Sequence, residues 1–260
     1  MTSWDPDQYA LFRAYRDRPA LDLMLQIPGE IEPSEIWDLG CGTGEHAALL
    51  ARRHPTAKVH GLDQSPQMLA RARVRPEPVD WVSGEIAAWA PETAPDLIFS
   101  NAALHWLDAH ETLLRRLAGA LAPKGVFACQ MPLSWRAPQH VLLREVANSG
   151  PWAGRLAGVD GVKPLLTLEA YYDQLAPISQ RVDIWTTTYL HVLEASGPAN
   201  PVLEWMQGTG LRPYLDALTC EETEAFLDAY AERLWTVFPR RPDGSVLLPF
   251  ERLFVLAVRA

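Results

Sequence analysis

Cysteine is scarce in this sequence and follows no recognisable spacing. The 260 residues contain three cysteines, Cys41, Cys129 and Cys220. An odd number of cysteines lying far apart in the chain indicates neither a disulfide framework nor a zinc site. We therefore expect a protein of a reducing compartment that holds no metal ion.

Long hydrophobic runs are also missing, as is a targeting segment at the start of the chain. The residues from Met1 to Asp7 contain neither a basic stretch nor an apolar one. No apolar run approaches the ~20 residues that are needed to span a bilayer. These absences predict a cytoplasmic protein with no membrane partner.

Positive charge is in deficit. Lysine and arginine together number 23 against 32 aspartates and glutamates, which gives a formal net charge of −9. A nucleic-acid-binding surface needs concentrated Lys and Arg, and no stretch of the chain supplies them. We expect a small-molecule partner instead. Because salt screens charges beyond ~8 Å, an anionic substrate would depend on arginines close to it.

Short apolar runs alternate with helical patterns in the first half of the chain. This alternation is typical of βαβ units, and therefore of an α/β fold with a parallel sheet. The predicted strands cover residues 36–39, 59–62, 79–82, 97–100 and 126–131. Ser65 followed by Pro66 predicts the start of one helix, and Asp108 with Glu111 predicts the start of another.

The second half of the chain adds two strands and several helices. Alternating patterns predict strands over 182–189 and 246–258, which bring the sheet to seven strands. Thr219 and Glu222 form a predicted capping box. The helix that follows carries a stripe that we interpret as core, made of Phe226, Tyr230, Leu234 and Phe238.

These patterns predict a single domain over residues 1–260. A helical segment at 1–30 precedes a nucleotide-binding core at 31–134. Helical insertions at 135–178 and 195–240 form a cap together with the first segment, and strands at 179–194 and 245–260 close the sheet.

The strongest chemical signal is the turn after the first predicted strand, where Asp38 is followed by Gly40, Gly42 and Gly44. Glycines at such a turn allow unusual backbone angles and close approach of a ligand. The dinucleotide-binding pattern requires a third Gly or Ala where this chain has Glu45, and pyrophosphate would meet that carboxylate. S-adenosylmethionine carries no phosphate and fits better, with Asp38 helping to hold its ammonium group.

Candidate ligand contacts follow the next strands at the same sheet edge. Asp63, about twenty residues after the first glycine, is the expected partner of both ribose hydroxyls. Glu85 could accept the adenine amino group, and Ile86 could lie against the ring. Around the end of the fourth strand we expect Asn101 and Trp106 near the sulfonium, with His105 shaping the site rather than acting as a base.

These residues, in this order, resemble the class I methyltransferases, and the wider pattern is similar to the trans-aconitate 2-methyltransferase family. The segments that carry the resemblance are Trp4-Asp5-Pro6, Arg16, Arg18-Pro19, Asp63-x-Ser65-Pro66-x-Met68, Asp96-Leu97-Ile98-Phe99-x-Asn101, Gln130-Met131-Pro132, Val182-Asp183-Ile184-Trp185-x-Thr187-Thr188-Tyr189 and Thr209-Gly210-Leu211-Arg212-Pro213. One departure is His105, where the family pattern often has Gln.

The resemblance implies a Rossmann-like class I methyltransferase fold, with a mainly parallel seven-stranded sheet and a helical cap. It implies transfer of a methyl group from S-adenosylmethionine to a carboxylate of trans-aconitate, which gives a monomethyl ester and S-adenosylhomocysteine. The donor contacts that we expect are Asp38, Gly40, Gly42, Gly44, Asp63, Gln64, Met68, Glu85, Ile86, Asn101 and Ala102.

A tricarboxylate acceptor needs cations, and the planar guanidinium suits carboxylates better than lysine does. Arg16, Arg18 and Arg212 are the candidates, and Arg212 is favoured because it lies on a predicted loop within the late insertion. An ionised carboxylate needs no general base, so we assign no catalytic residue and give His105 and Trp106 positioning roles.

Other functions remain compatible with the pattern. The protein could methylate another small-molecule acceptor, because substrate choice depends on the insertions. It could also bind S-adenosylmethionine without catalysis. An NAD-dependent oxidoreductase is disfavoured by Glu45.

Overall fold

A seven-stranded sheet in the order β3-β2-β1-β4-β5-β7-β6 organises the structure. The computed structural model describes residues 13–159, 161–195, 197–208 and 210–260. The strands are β1 (Glu35–Leu39), β2 (Lys58–Asp63), β3 (Val79–Ser83), β4 (Leu97–Asn101), β5 (Val126–Pro132), β6 (Ser179–Glu194) and β7 (Ser245–Arg259). All seven predicted strands are confirmed.

The helices of the described chain are α1 (Arg13–Gln26), α2 (Glu45–Arg53), α3 (Pro66–Ala72), α4 (His110–Gly119), α5 (Pro138–Ser149), α6 (Ala153–Leu156), α7 (Leu168–Leu175), α8 (Pro201–Gln207), α9 (Arg212–Ala217) and α10 (Cys220–Val237). Short 3-10 turns cover Ile86–Ala88, Leu104–Trp106 and Ala176–Ile178.

The topology locates the ligand-binding edge. Strands β1 to β5 pair in parallel, whereas β7 runs antiparallel to β5. The strand order reverses between β1 and β4, and ligands of such sheets bind outside the carboxyl ends of the strands at this reversal. Every residue of β4 and β5 is buried, which agrees with the mainly apolar runs that predicted both strands.

Two of the three predicted helix starts are confirmed by the structure. Ser65 caps α3, with Pro66 in its first turn, and Thr219 and Glu222 form a complete capping box on α10. The predicted cap at Asp108 is wrong, because α4 begins at His110 after Ala109, whose φ of +57° is left-handed. His110 is buried, and its Nε2 lies 3.1 Å from the Leu104 carbonyl.

The chain divides into two compact units. The first, which we call the core unit, contains Arg13–Pro132, Leu165–Thr187 and Arg252–Ala260, and the second contains Leu133–Pro164 and Thr188–Glu251. Helix α7, which lies inside the range interpreted as an insertion, belongs to the core unit and packs on α4. In the second unit, the predicted α10 stripe is confirmed as core, since Phe226, Tyr230, Leu234 and Phe238 are all buried.

None of the helices in the described residues is both long enough and apolar enough to cross a membrane. In the same residues, no three His, Cys, Asp or Glu side chains are grouped so that they could hold a metal ion.

Candidate active site

The glycine turn between β1 and α2 has three left-handed residues, and they serve different purposes. Gly40, Gly42 and Gly44 have φ of +78°, +56° and +82°. A Cβ on Gly40 would lie 2.2 Å from the Ala103 Cβ, and one on Gly44 would lie 2.4 Å from the Trp81 ring. Nothing lies within 4 Å of the corresponding position at Gly42. The first and third glycines therefore permit close packing, and Gly42 faces open space that a ligand could use.

Asp63, at the end of β2, is joined to the glycine turn. Its Oδ2 accepts a hydrogen bond of 2.9 Å from the Gly42 N–H, and its Oδ1 accepts one of 2.8 Å from the Ser65 N–H. A carboxylate has about four acceptor positions, so these two bonds leave capacity for ribose hydroxyls. Asp63 thus holds the turn in place and can also meet a ligand.

Asp38, in β1, is a buried carboxyl, 1% exposed. Burial, reinforced by the negative charge of Asp63, raises the pKa of Asp38 to about 8, although the Ala47 backbone amide acts in the opposite direction. Its Oδ2 has no hydrogen-bond partner in the described part of the chain. A cation placed beside it would stabilise the ionised form.

Glu45, the residue that argued against NAD, begins α2 and is fixed by its neighbours. It accepts hydrogen bonds from the Thr43 hydroxyl and from the Arg75 guanidinium. The Arg75 Nε also donates to the Thr43 carbonyl at 2.6 Å. This carboxylate occupies the first turn of the helix, where a pyrophosphate-binding loop would instead present free backbone amides.

The candidates after β2 and β3 differ in exposure. Ile86 is buried, and its Cδ1 would lie 3.5 Å from a Cβ on Gly40, so it borders the glycine turn. Glu85, Gln64 and Met68 occupy the adjoining segments, and of these Met68 is buried while the other two are exposed.

Arg116 of α4 holds the turn that carries Ile86, a role that sequence analysis missed. Its guanidinium donates to the carbonyls of Ile86 at 2.9 Å and Trp89 at 3.0 Å. Arg116 is separated from these carbonyls by about thirty residues, so no local pattern could have revealed the contact.

The segment after β4 carries the expected sulfonium-side residues. Asn101 is buried, and its Oδ1 has no hydrogen-bond partner among the described residues. Ala102 has a left-handed φ of +51° and turns the chain toward the 3-10 turn. There the ring of His105 is buried and packs 4.6 Å from that of Trp106, which is 39% exposed.

The three candidate acceptor arginines differ in their surroundings. Arg18 has a side chain that is 72% exposed, and it pairs with Asp22 at 3.8 Å. The side chain of Arg16 lies outside the described part of the structure. Arg212 is half-buried in the second unit and begins α9, so the prediction that it lies on a loop is wrong. The chain is constrained just before it, because a Cβ on Gly210 would lie 2.6 Å from the His140 ring.

Comparisons with known proteins agree with this fold. A family model described as a methyltransferase domain matches residues 36–125. Among solved structures, YcgJ of Bacillus subtilis aligns with a TM-score of 0.58 at 16% identity, covering 93% of this chain and 98% of that one. A phosphoethanolamine N-methyltransferase of Haemonchus contortus aligns with a TM-score of 0.55 at 15% identity, covering 93% and 52%. The fold and the glycine site together define a class I methyltransferase.

Relatives that carry a functional name align over the whole of this chain. The trans-aconitate 2-methyltransferase of Azoarcus sp. (strain BH72) is 45% identical over 259 residues, and that of Methylobacterium radiotolerans is 46% identical over 263 residues. Each alignment covers 100% of this chain and 100% of the relative. This chain belongs to the trans-aconitate 2-methyltransferase family.

Proposed function

We propose that this protein transfers the methyl group of S-adenosylmethionine to one carboxylate of trans-aconitate or of a closely related small polycarboxylic acid. The products are a monomethyl ester and S-adenosylhomocysteine. The observation that carries the proposal is the identity of about 45% over the full length of relatives that bear this name.

The buried carboxyl of Asp38 supports S-adenosylmethionine as the donor. Its Oδ2 has no partner in the described chain and is suited to an ammonium group. In this proposal the open side of Gly42 receives the amino-acid end of the donor, and Asp63 accepts from its ribose. Ile86 and Met68 provide apolar contacts for the adenosine. The remaining donor contacts are Gly40, Gly44, Gln64, Glu85, Asn101 and Ala102.

The donor supplies an electrophilic methyl group on a sulfonium. The acceptor carboxylate is already ionised at neutral pH, so no side chain has to remove a proton, and positioning performs the catalysis. Alignment of two reactants can contribute about 7 to 11 kcal/mol. We assign this role to His105 and Trp106, whose packed rings follow the left-handed turn at Ala102.

Arginines are the natural partners of the acceptor. The net charge of −9 opposes a tricarboxylate at long range, so cations within the site have to offset it. Half-burial and a constrained backbone favour Arg212 over Arg18, whose exposed pair with Asp22 is screened by solvent. Arg16 remains a third candidate.

Turnover of S-adenosylmethionine against a panel of di- and tricarboxylates tests the proposal. We expect release of S-adenosylhomocysteine with trans-aconitate and an ester that alkali hydrolyses. If the protein binds S-adenosylhomocysteine but turns over with none of the carboxylates, carboxyl methylation is contradicted. The remaining functions would then be methyl transfer to another kind of acceptor, or binding of S-adenosylmethionine without catalysis.

A further inference from the structure

Arg144, on helix α5 of the second unit, is held by an aromatic ring and a carbonyl rather than by an acid. Its guanidinium carbon lies 3.9 Å from the centre of the Trp135 ring, and its Nη2 donates a hydrogen bond of 2.7 Å to the Trp135 carbonyl. No carboxylate among the described residues pairs with it. A planar cation that is stacked and hydrogen-bonded in this way is preorganised, so it can bind an anion with little further loss of side-chain entropy.

Two other arginines of the same unit do have acidic partners. Arg155 pairs with Glu222 at 2.9 Å, and Arg233 pairs at 2.7 Å with Glu145, the residue that follows Arg144. Acids outnumber bases in this chain, so a shortage of carboxylates does not explain why Arg144 lacks one. Its half-buried charge is left to be compensated by something other than these acids.

His140 lies one helical turn before Arg144, on the same face of α5. It is buried and packs against the segment that leads into α9, because a Cβ on Gly210 would lie 2.6 Å from its Cε1. Burial lowers the pKa of His140 to about 3, and the positive charge of Arg144 adds to this effect. The imidazole is therefore neutral near pH 7 and has one N–H donor. No hydrogen bond among the described residues uses that ring.

Tyr214 of α9 adds a third polar group. It is 6% exposed, and its hydroxyl oxygen would lie 2.7 Å from a Cβ on Gly161. Burial raises the pKa of Tyr214, and the positive charge of Arg144 acts in the opposite direction, so the hydroxyl and the guanidinium are close enough to interact. The hydroxyl stays protonated near pH 7 and can donate a hydrogen bond, for which the described residues provide no acceptor.

The chemistry of these three side chains, which we call the Arg144 cluster, indicates the kind of ligand. Each has an unused hydrogen-bond donor, and their only charge is positive. A carboxylate accepts several hydrogen bonds and supplies the compensating charge, whereas a cation would be repelled. Arg212, which the proposed function assigns to the acceptor, lies two positions before Tyr214 on the same helix.

We propose that Arg144, together with His140 and Tyr214, binds a carboxylate of the acceptor other than the one that is methylated. This inference rests on the proposed function and adds a specificity-determining site to it. A tricarboxylate that reacts at one carboxylate leaves two others to be held. Arg212 and Arg144 can each take one of them through two parallel hydrogen bonds. Anchoring both would determine which carboxylate is directed toward the methyl group.

Two variants test the site, and a third is a matched control. Arg144→Lys keeps the charge and removes the fork. Tyr214→Phe removes only the hydroxyl and keeps the ring that stacks on Phe226. Arg240→Lys is the control, because Arg240 also lies over a tryptophan ring, that of Trp235 at 5.5 Å, and also donates to a backbone carbonyl of the second unit, but is exposed.

For both test variants we expect KM for trans-aconitate to rise about 10-fold or more, the effect of losing charge-assisted hydrogen bonds. The dissociation constant of S-adenosylhomocysteine, measured by calorimetry, should change by less than about twofold. Arg240→Lys should match the wild type in both. If Arg144→Lys does not fold, Tyr214→Phe decides the question.

A binding measurement gives a readout that needs no turnover. trans-Aconitate can be titrated into protein saturated with S-adenosylhomocysteine, a complex in which no methyl group is available. Its dissociation constant should rise about 10-fold or more in both test variants and stay constant in Arg240→Lys. Wild-type protein that binds trans-aconitate in this complex but methylates no carboxylate would overturn the proposed function, and the same titration would still decide whether the Arg144 cluster holds a carboxylate.

Shortened acceptors separate a contact from a structural defect. The ratio of wild-type to Arg144→Lys kcat/KM should be about 10 or more for trans-aconitate and about 1 for the dicarboxylate that lacks the bound carboxylate. An equal loss for every acceptor, an unchanged KM, or a similar loss in Arg240→Lys would each overturn the inference. A weakened affinity for S-adenosylhomocysteine would also overturn it, by assigning Arg144 to the donor.

Discussion

The Tyr171 hydroxyl lies 2.7 Å from Nδ1 of His110 in the core unit, and this contact identifies the tautomer of the imidazole. Nε2 of His110 lies 3.1 Å from the Leu104 carbonyl, which can only accept, so Nε2 carries the proton and Nδ1 accepts from Tyr171. Burial lowers the pKa of His110, which keeps the ring neutral at physiological pH. Helix α7 is thereby connected to the turn that carries His105 and Trp106.

Tyr171→Phe removes only the hydroxyl and should leave the Nδ1 acceptor of His110 buried and unpaired. We expect the free energy of unfolding in urea to fall by about 1 to 3 kcal/mol. Turnover should fall as well, because the turn loses support, while S-adenosylhomocysteine affinity is retained. Tyr172→Phe, at the exposed neighbouring tyrosine, is the control and should change neither quantity. Equal behaviour of the two variants would show that the hydroxyl contributes nothing.

Donor binding should depend on pH through Asp38. Because its pKa is about 8 in the free protein, an incoming ammonium has to displace a proton below that pH. The association constant of S-adenosylhomocysteine should rise with pH by up to about tenfold per unit between pH 6.5 and 8, and level off above. Calorimetry in two buffers of different ionisation enthalpy would measure the proton released. 5′-Methylthioadenosine, which lacks the ammonium, should show no such release.

The Asp38 carboxyl should also lower the free energy of unfolding of the ligand-free protein in mild alkali. A carboxyl whose folded pKa is raised from 3.8 to about 8 binds its proton more tightly in the folded state, so stability falls as pH rises through that interval. His54, His110 and His140 have lowered pKa values and act in the opposite direction, but only below about pH 6.5.

Above pH 6.5 the decline due to Asp38 should therefore be visible, at up to about 1.4 kcal/mol per pH unit. Asp38→Asn, which cannot ionise, should flatten the urea-unfolding profile between pH 6.5 and 8. A wild-type profile that is already flat in this interval would contradict the assignment.

Asp63→Ala should affect the protein before any ligand is added. The carboxylate accepts from the amides of Gly42 and Ser65, and each bond to a charged group contributes about 1.5 to 3 kcal/mol. We expect reduced stability as well as an S-adenosylhomocysteine dissociation constant that is raised about 10-fold or more. Asp80→Ala, at an acid on β3 whose side chain is 61% exposed, is the comparison. Unchanged ligand affinity in Asp63→Ala would remove Asp63 from the site.

Arg212→Lys should raise KM for trans-aconitate, because the charge is kept but the fork is lost. Donor affinity should stay nearly constant, and Arg212→Ala should have a larger effect on KM. Arg233→Lys is a control within the same unit, since Arg233 is half-exposed and pairs with Glu145 at 2.7 Å. Wild-type kinetics in both Arg212 variants would make Arg212 structural and leave Arg16 and Arg18 as the remaining original candidates.

The strands and the glycine turn were predictable because their signals are local. Buried parallel strands are mainly apolar, and Gly40, Gly42 and Gly44 stand within five residues of each other. The start of α4 was not predicted, because its first residue, His110, is buried and contacts Tyr171, which lies 61 positions away in the sequence. Gln130 and Arg252 are separated by 122 positions, so only the pairing of β5 with β7 brings them together.

The Trp81 ring occupies space that two glycines leave vacant. A Cβ on Gly44 would lie 2.4 Å from this ring, and one on Gly61 would lie 2.6 Å from it. Alanine at Gly61 would therefore need a smaller side chain at position 81, and a smaller side chain there would open a cavity unless Gly61 were replaced. Alanine at Gly44 would in addition be strained by the left-handed φ of +82°. Divergence within the family should accordingly change positions 61 and 81 together, through paired substitutions rather than single ones, and keep Gly44.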